Sequence, residues 1–181
     1  MSAKENSSTR LKLLQDLTLE RISGSPTKNI VTAPMARGLE LESEARKAYE
    51  KLNQEVTLIG FIDHPTIKEA GVSPDGLVGE DGIIEIKCLN IKSHNEIIKK
   101  QILPKQYNFQ IQFQLACTNR AWCDFVAYHP EAADVLYVKR VLPEHEVIKD
   151  IHEKAVIFIG EVEEKYREMK LQNSEELYKY L

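Results

Sequence analysis

The stretch "SPDGLVGEDGIIEIKC", Ser73 to Cys88, sets two acids and a lysine among glycines and branched aliphatics. With "GV" before it and "LN" after it, the run reads as a hairpin, two β-rich runs joined by a polar turn at Asp81-Gly82. Side chains alternate across a strand, so Glu85 and Lys87 share one face while Ile84, Ile86 and Cys88 share the other. The aliphatic face is core, and the charged face admits two readings. An exposed edge strand carries charges to discourage pairing with another chain. Alternatively, the hairpin returns Asp75 to the side of Glu85, giving a carboxylate pair with a lysine two residues on. Carboxylates set together repel unless a cation sits between them. Oxygen ligands of this kind suit Mg²⁺ or Mn²⁺, which polarise a phosphoryl oxygen and activate water while a lysine steadies developing negative charge.

Residues 1 to 10 read as a loose start, and "TRLKLLQDLTLERISG" reads as a helix ending at a Gly24 cap. "SPTKNIVTAP" connects it to a second helix over about Arg37 to Asn53, where Leu41, Ala45, Ala48, Tyr49 and Leu52 recur at helical spacing. "EVTLIGFIDHP" reads as a strand ending at Pro65. Beyond the hairpin, Pro104 precedes the helix "QYNFQIQFQLACT". "AWCDFVAYHP" and "DVLYVKRVL" read as two strands, and "EHEVIKDIHEKAVIFIGEVEEKYREMK" as a long final helix. The order gives helices flanking a small sheet, an α/β or α+β sandwich in one domain.

Two further polar groups stand out. Glu42 lies three residues before Ala45 and seven before Tyr49, on or beside the buried stripe of its helix, where an unpaired carboxylate is costly. A solvated boundary position explains it equally well. Tyr107, Gln110 and Gln114 share a helix face at i, i+3 and i+7, opposite Phe109, Phe113 and Ala116, as a lined cleft or a wet side would require.

At 181 residues, 43% apolar and 29% charged, the chain has the composition of a globular protein. No run approaches the roughly 20 apolar residues of a membrane span, and "MSAKENSSTRLK" lacks the apolar segment of a signal peptide. These features point to the cytoplasm and away from a membrane. Cys88, Cys117 and Cys123 make no close metal-binding pair and read as reduced thiols. His64, His94, His129, His145 and His152 are scattered and read as surface or turn histidines. The net charge of −4 argues against nucleic-acid binding through the whole surface. One segment is locally basic: Lys87, Lys92, Lys99, Lys100 and Lys105 stand against a single acid, Glu96. It reads either as a set of phosphate contacts or as a solvated loop.

"SPDGLVG" followed by "EIKC" resembles the signature of the lambda-exonuclease, YqaJ-like viral recombinase family, within the PD-(D/E)XK nuclease superfamily. "RGLELESEARKAYE" resembles that family's glutamate-bearing helix, "QYNFQIQFQLACT" its glutamine helix, and "RAWCDFVAYHP" the strand that follows. "LLQDLTLERISGSP" is similar to the helix upstream, so the resemblance runs from about Leu11 to about Lys170. It implies a PD-(D/E)XK restriction-endonuclease-like core, a small mixed sheet flanked by helices. It also implies a Mg²⁺-dependent exonuclease, with Mn²⁺ as substitute, that digests linear duplex DNA 5′ to 3′ in phage or prophage recombination. The alternatives are an endonuclease or structure-specific nuclease of the same superfamily, or a DNA-binding module that keeps the fold without turnover.

Carried over by residue, the resemblance makes Asp75 and Glu85 metal ligands, with the Ile86 carbonyl as a further one. Lys87 orients the attacking water, and Glu42 and Gln110 complete the metal and water site. Tyr107 supports the cleft and Ser73 helps hold a terminal 5′ phosphate, while the basic segment read above, with Lys92, Lys99 and Lys100, offers a lining for a DNA channel. The implied partners are double-stranded DNA ends, a single-strand annealing protein, and further copies of the chain in a ring, for which a trimer is the best-known case. The implied location is a bacterial host cytoplasm. The tryptophan- and arginine-bearing segment with which family members usually open has no counterpart before Leu11, so weak recognition of the 5′ phosphate is expected.

Overall fold

The computed structural model describes residues 7–27, 31–52 and 55–178. Residues 1–6 of the expected loose start, 28–30 of the expected connection, and Asn53 at the expected helix end lie outside that set. The chain divides into two compact units, Val31–Ile151 and the pair Met1–Ile30 with His152–Leu181.

The smaller unit is built from α1 (Ser8–Ser23) and the part of α5 (His145–Tyr178) that begins at His152. Helix α1 starts earlier than expected because Ser7 caps it, its side chain accepting from the Arg10 N–H at 3.3 Å. It stops where Gly24 adopts φ 66°, a left-handed conformation that costs glycine little. Arg10 pairs with Glu161 at 2.7 Å and Arg21 with Glu163 at 2.6 Å, while Phe158 and Val162 are buried.

The larger unit carries a five-stranded mixed sheet in the order β1-β4-β5-β6-β7. Its strands are β1 (Val56–Thr57), β4 (Gly76–Val78), β5 (Gly82–Cys88), β6 (Trp122–Tyr128) and β7 (Leu136–Val141). Only β5 and β6 run parallel, and the chain between them forms α3 (Ile91–Lys100) and α4 (Lys105–Thr118). Helix α2 (Ala33–Glu50) lies on the other face. There Ala45 and Tyr49 pack with Ile84, Ile86, Val126 and Tyr128, while Ile111 and Leu115 of α4 pack with Ile83, Phe125 and Ala127. Strand β5 is therefore central and covered on both faces, which overturns the exposed-edge reading of Glu85 and Lys87. Gly82, opening β5, has no room for a side chain, since a Cβ there would lie 2.2 Å from the Trp122 ring.

Three further expectations change. "EVTLIGFIDHP" is not one strand. Only Val56–Thr57 joins the main sheet, and β2 (Ile62–Asp63) pairs with β3 (Gly71–Val72) in a separate two-stranded sheet. The run lacks the strict alternation that a single half-buried strand needs. The basic segment is not a loop but α3, capped by Asn90, whose side chain accepts from the Ser93 N–H at 2.9 Å. Its buried side chains are His94 and Ile97. His94, read as a surface or turn histidine, lies inside α3, is fully buried and donates from Nε2 to the Asp134 carbonyl at 2.6 Å. His129 sits at a turn but is buried as well.

Candidate active site

The hairpin register, Gly76 opposite Ile84, sets Asp75 across from Glu85 at the entry to β4. Two hydrogen bonds fix it. The Asp75 N–H donates to the Ile84 carbonyl at 3.2 Å, and the Asp75 Oδ2 accepts from the Ile86 N–H at 2.6 Å. Glu85 is 1% exposed, and its Oε1 takes a hydrogen bond and ion pair from the Lys87 ammonium on the same strand face. From α4, Gln114 donates Nε2 to Glu85 Oε2 at 2.6 Å. Tyr107 forms the wall, with the Lys87 Nζ 5.7 Å from its ring centroid and its ring stacked on Phe125 at 5.5 Å.

The electrostatics follow from crowding carboxylates in a half-dry cleft. Burial, and then the Glu85 charge, push the Asp75 carboxyl up to about 7; Glu42 adds to the rise, while the Ile86 N–H and Lys87 oppose it. Burial works to lower the Lys87 pKa, but the Glu85 and Asp75 carboxylates outweigh it and the net direction is upward. Lys87 therefore stays an ammonium.

The structure brings together Asp75, Glu85, Lys87 and Tyr107 of the expected site residues. Glu42 is half-buried and near enough for its charge to reach Asp75, but its carboxylate is held by Arg46 at 2.5 Å. Gln110 is exposed on α4, and Gln114, one turn on, hydrogen-bonds Glu85. Ile86 is buried and gives its N–H to Asp75. Ser73 is exposed two residues before Asp75, and Lys92, Lys99 and Lys100 are exposed along α3, Lys100 with Glu96 at 3.5 Å. Gln114 was missed as a site residue because its stripe offered two glutamines, and helical spacing alone does not choose between them.

Among the described residues, no group of three His, Cys, Asp or Glu side chains is arranged to hold a metal ion. The donor set present is two hard carboxylates, Asp75 and Glu85, beside a buried amide oxygen, Gln114 Oε1, that has no hydrogen-bond partner. That set fits an ion bound by one or two carboxylates that keeps several of its waters, which is the habit of Mg²⁺ rather than of an ion needing a full protein cage.

The family model of the YqaJ-like viral recombinase domain matches residues 1–121 of the chain. The chain belongs to this family. The alkaline exonuclease LHK-Exo from Laribacter hongkongensis is 37% identical, with a TM-score of 0.88 over 95% of this chain and 89% of that one. LHK-Exo in complex with dAMP gives the same identity and a TM-score of 0.89 over 94% and 88% of the two chains. A phage related exonuclease from Haemophilus somnus 129PT, 14% identical, shares the fold at a TM-score of 0.63 over 93% and 85%. No curated protein is similar enough to match. The fold of this YqaJ-family chain is therefore that of the alkaline exonuclease, the small mixed sheet flanked by helices expected of a PD-(D/E)XK core. Among its described residues no helix is long and apolar enough to cross a membrane.

Proposed function

We propose that this chain is a Mg²⁺-dependent deoxyribonuclease that digests one strand of linear duplex DNA from a 5′ end, with Mn²⁺ able to substitute. One observation carries the reading: Asp75, Glu85 and Lys87 converge on one face of the central hairpin, inside a covered cleft rather than at a sheet edge. Family membership and the likeness to an alkaline exonuclease at 37% identity support it.

Asp75 and Glu85 would hold the metal, with the Ile86 carbonyl and Glu42 as further oxygens. When bound, Mg²⁺ supplies Lewis acidity and lowers the pKa of water. The residues do the rest. Lys87, kept charged by Glu85, orients the attacking water and neutralises charge developing on the phosphoryl oxygens. Tyr107 fixes the lysine's approach, and the apolar flanks of β5 limit water at the reacting centre. Gln110, exposed on α4, would complete the metal and water site, and the exposed Ser73 would help hold a terminal 5′ phosphate. Lys92, Lys99 and Lys100 give α3 a row of exposed ammonium groups suited to phosphates. Duplex DNA ends, an annealing protein for the exposed 3′ strand, and a ring of copies in a bacterial cytoplasm complete the proposal.

The test is digestion of matched linear and covalently closed circular duplexes, with Mg²⁺ and with chelator. Loss of linear DNA from 5′ ends, dependent on Mg²⁺ and absent on circles, is the expected result. Cutting of closed circles would move the chain to the endonucleases. No cutting of either substrate would leave a DNA-binding module.

A further inference from the structure

Gln114 is 1% exposed in the middle of α4, a position where a leucine or methionine would fill the same volume without a polar cost. Its neighbours Ile111 and Leu115 are locked into the cluster with Ile83 and Phe125, so the helix cannot rotate to release it. An ionised carboxylate only accepts hydrogen bonds, so the amide must turn its NH₂ to Glu85 Oε2, as the 2.6 Å contact shows. This fixes the other end. The carbonyl oxygen Oε1 is then directed away from Glu85, buried and without a donor. Buried polar atoms of this kind are rare and call for an explanation. The other side of Glu85 is occupied by Lys87, so the carboxylate is clamped at both oxygens.

We infer that Gln114 is a positioning residue for the reaction: its Nε2 fixes the orientation of Glu85, and the buried, unpartnered Oε1 is the cost of turning the amide that way. The inference rests on the proposed metal-dependent cleavage, and deepens it by naming what sets the Glu85 oxygens before metal arrives. A carboxylate held by donors at both oxygens presents its remaining lone pairs in fixed directions, and partners of this kind raise metal affinity by pre-orienting the ligand. Gln112, two residues back on the same helix, does a different job. It is buried too, but its amide closes on the Glu144 N–H at 2.7 Å and the Leu142 carbonyl at 3.0 Å and stays out of the cleft.

The test compares wild type with Gln114→Met, which keeps volume and removes both hydrogen-bonding ends, and with Gln114→Asn, which keeps the amide but shortens its reach. Three quantities are read: Mn²⁺ affinity by electron paramagnetic resonance without DNA, duplex affinity in chelator, and single-turnover cleavage at saturating Mg²⁺. The expected result for Gln114→Met is unchanged duplex affinity, with Mn²⁺ affinity or cleavage rate reduced by about 10–100-fold. Gln114→Asn should fall between, and it decides the matter if the methionine variant does not fold. Cleavage and Mn²⁺ affinity both within about two-fold of wild type in a folded variant, even with a lowered melting temperature, would make Gln114 a packing residue and overturn the inference alone. A wild-type chain that binds no Mn²⁺ would overturn the metal-dependent reading along with it.

Discussion

Asp75 and Ile86 are joined by a 2.6 Å hydrogen bond from the Ile86 N–H to the Asp75 carboxylate, across the hairpin that β4 and β5 form. Ile86 sits between Glu85 and Lys87, so this bond ties the aspartate to the strand that carries its two partners. The same N–H leaves Asp75 short of compensation, since burial and Glu85 still dominate its ionisation.

A pH dependence follows from that imbalance. The Asp75 carboxyl rises from 3.8 to about 7 on folding, so the native state holds this proton more tightly than the unfolded chain does. Its contribution to stability is therefore fully present below about pH 4 and lost as pH rises through about 7. Without metal, Asp75→Asn should gain melting temperature relative to wild type between those limits, because asparagine still accepts from Ile86 and never charges. Parallel melting curves for the two proteins from pH 4 to 8 would contradict it. Bound metal competes with the same proton, so cleavage at limiting Mg²⁺ should climb through about pH 7, with the limb moving to lower pH as Mg²⁺ is raised.

Removing the chemistry should leave the fold. Asp75→Ala or Lys87→Ala is expected to lower cleavage by at least about 10²–10³-fold with duplex affinity largely kept, because in the proposed mechanism these groups act on the transition state rather than on the bound DNA. Cleavage within a few-fold of wild type in either variant, measured on linear duplex, would remove that residue from the proposed site.

Glu42 presents a graded case. Its carboxylate is engaged by Arg46, and water can replace one ligand on Mg²⁺. Glu42→Gln should shift the Mg²⁺ concentration for half-maximal cleavage upward while sparing the rate at saturation more than Asp75→Ala does. A Mg²⁺ titration that superimposes on wild type would limit Glu42 to its Arg46 pair.

The exposed end of α3 should carry salt dependence. Replacing Lys99 and Lys100 together is expected to weaken duplex binding equally across sequences and to make the log–log salt slope shallower by about 1–2, since phosphate contacts release counterions without reading bases. An unaltered slope would return both lysines to plain solvation.

Stability and activity should separate on the opposite sheet face. Asp124, buried beneath α2, accepts from the Tyr49 hydroxyl at 2.7 Å and from Arg140 Nε and a terminal guanidinium nitrogen at 2.9 Å each. Arg140 also stacks on Trp122, 3.6 Å from its centroid. Asp124→Ala strands the tyrosine hydroxyl and one half-exposed guanidinium, a loss on the order of 2–3 kcal/mol after allowance for the exposed partner. Chemical denaturation measures the loss. Cleavage per folded molecule should hold, because Asp124 faces away from Glu85.

Much of this was legible in the residues. The alternation of Ile84, Ile86 and Cys88 against Glu85 and Lys87 fixes which side of β5 is polar, because strand geometry allows no other assignment. The glycine-bounded hairpin turn brings Asp75 back, because a short antiparallel connection sets its own register. Helix α3 was hidden because the five residues between Ile91 and Ile97, Lys92 to Glu96, are all polar or charged and interrupt the helical stripe, leaving the Asn90 cap as a faint local sign. The break between β1 and β2 was hidden because both fragments are apolar enough to read as one strand.

What the residues settle alone is local: the hairpin, the face on which the carboxylates and lysine stand, the long helices and their caps. All of these follow from torsions and periodicities within a few residues. The tertiary fold settles what lies far apart in the chain. It makes β5 central rather than an edge, because β6, reached through α3 and α4, pairs along its open side. It also decides that Gln114, rather than Gln110, is the glutamine that hydrogen-bonds Glu85. Both share a stripe on α4, but only the seating of Ile111 and Leu115 against the sheet sets the rotation and height at which one amide meets Glu85.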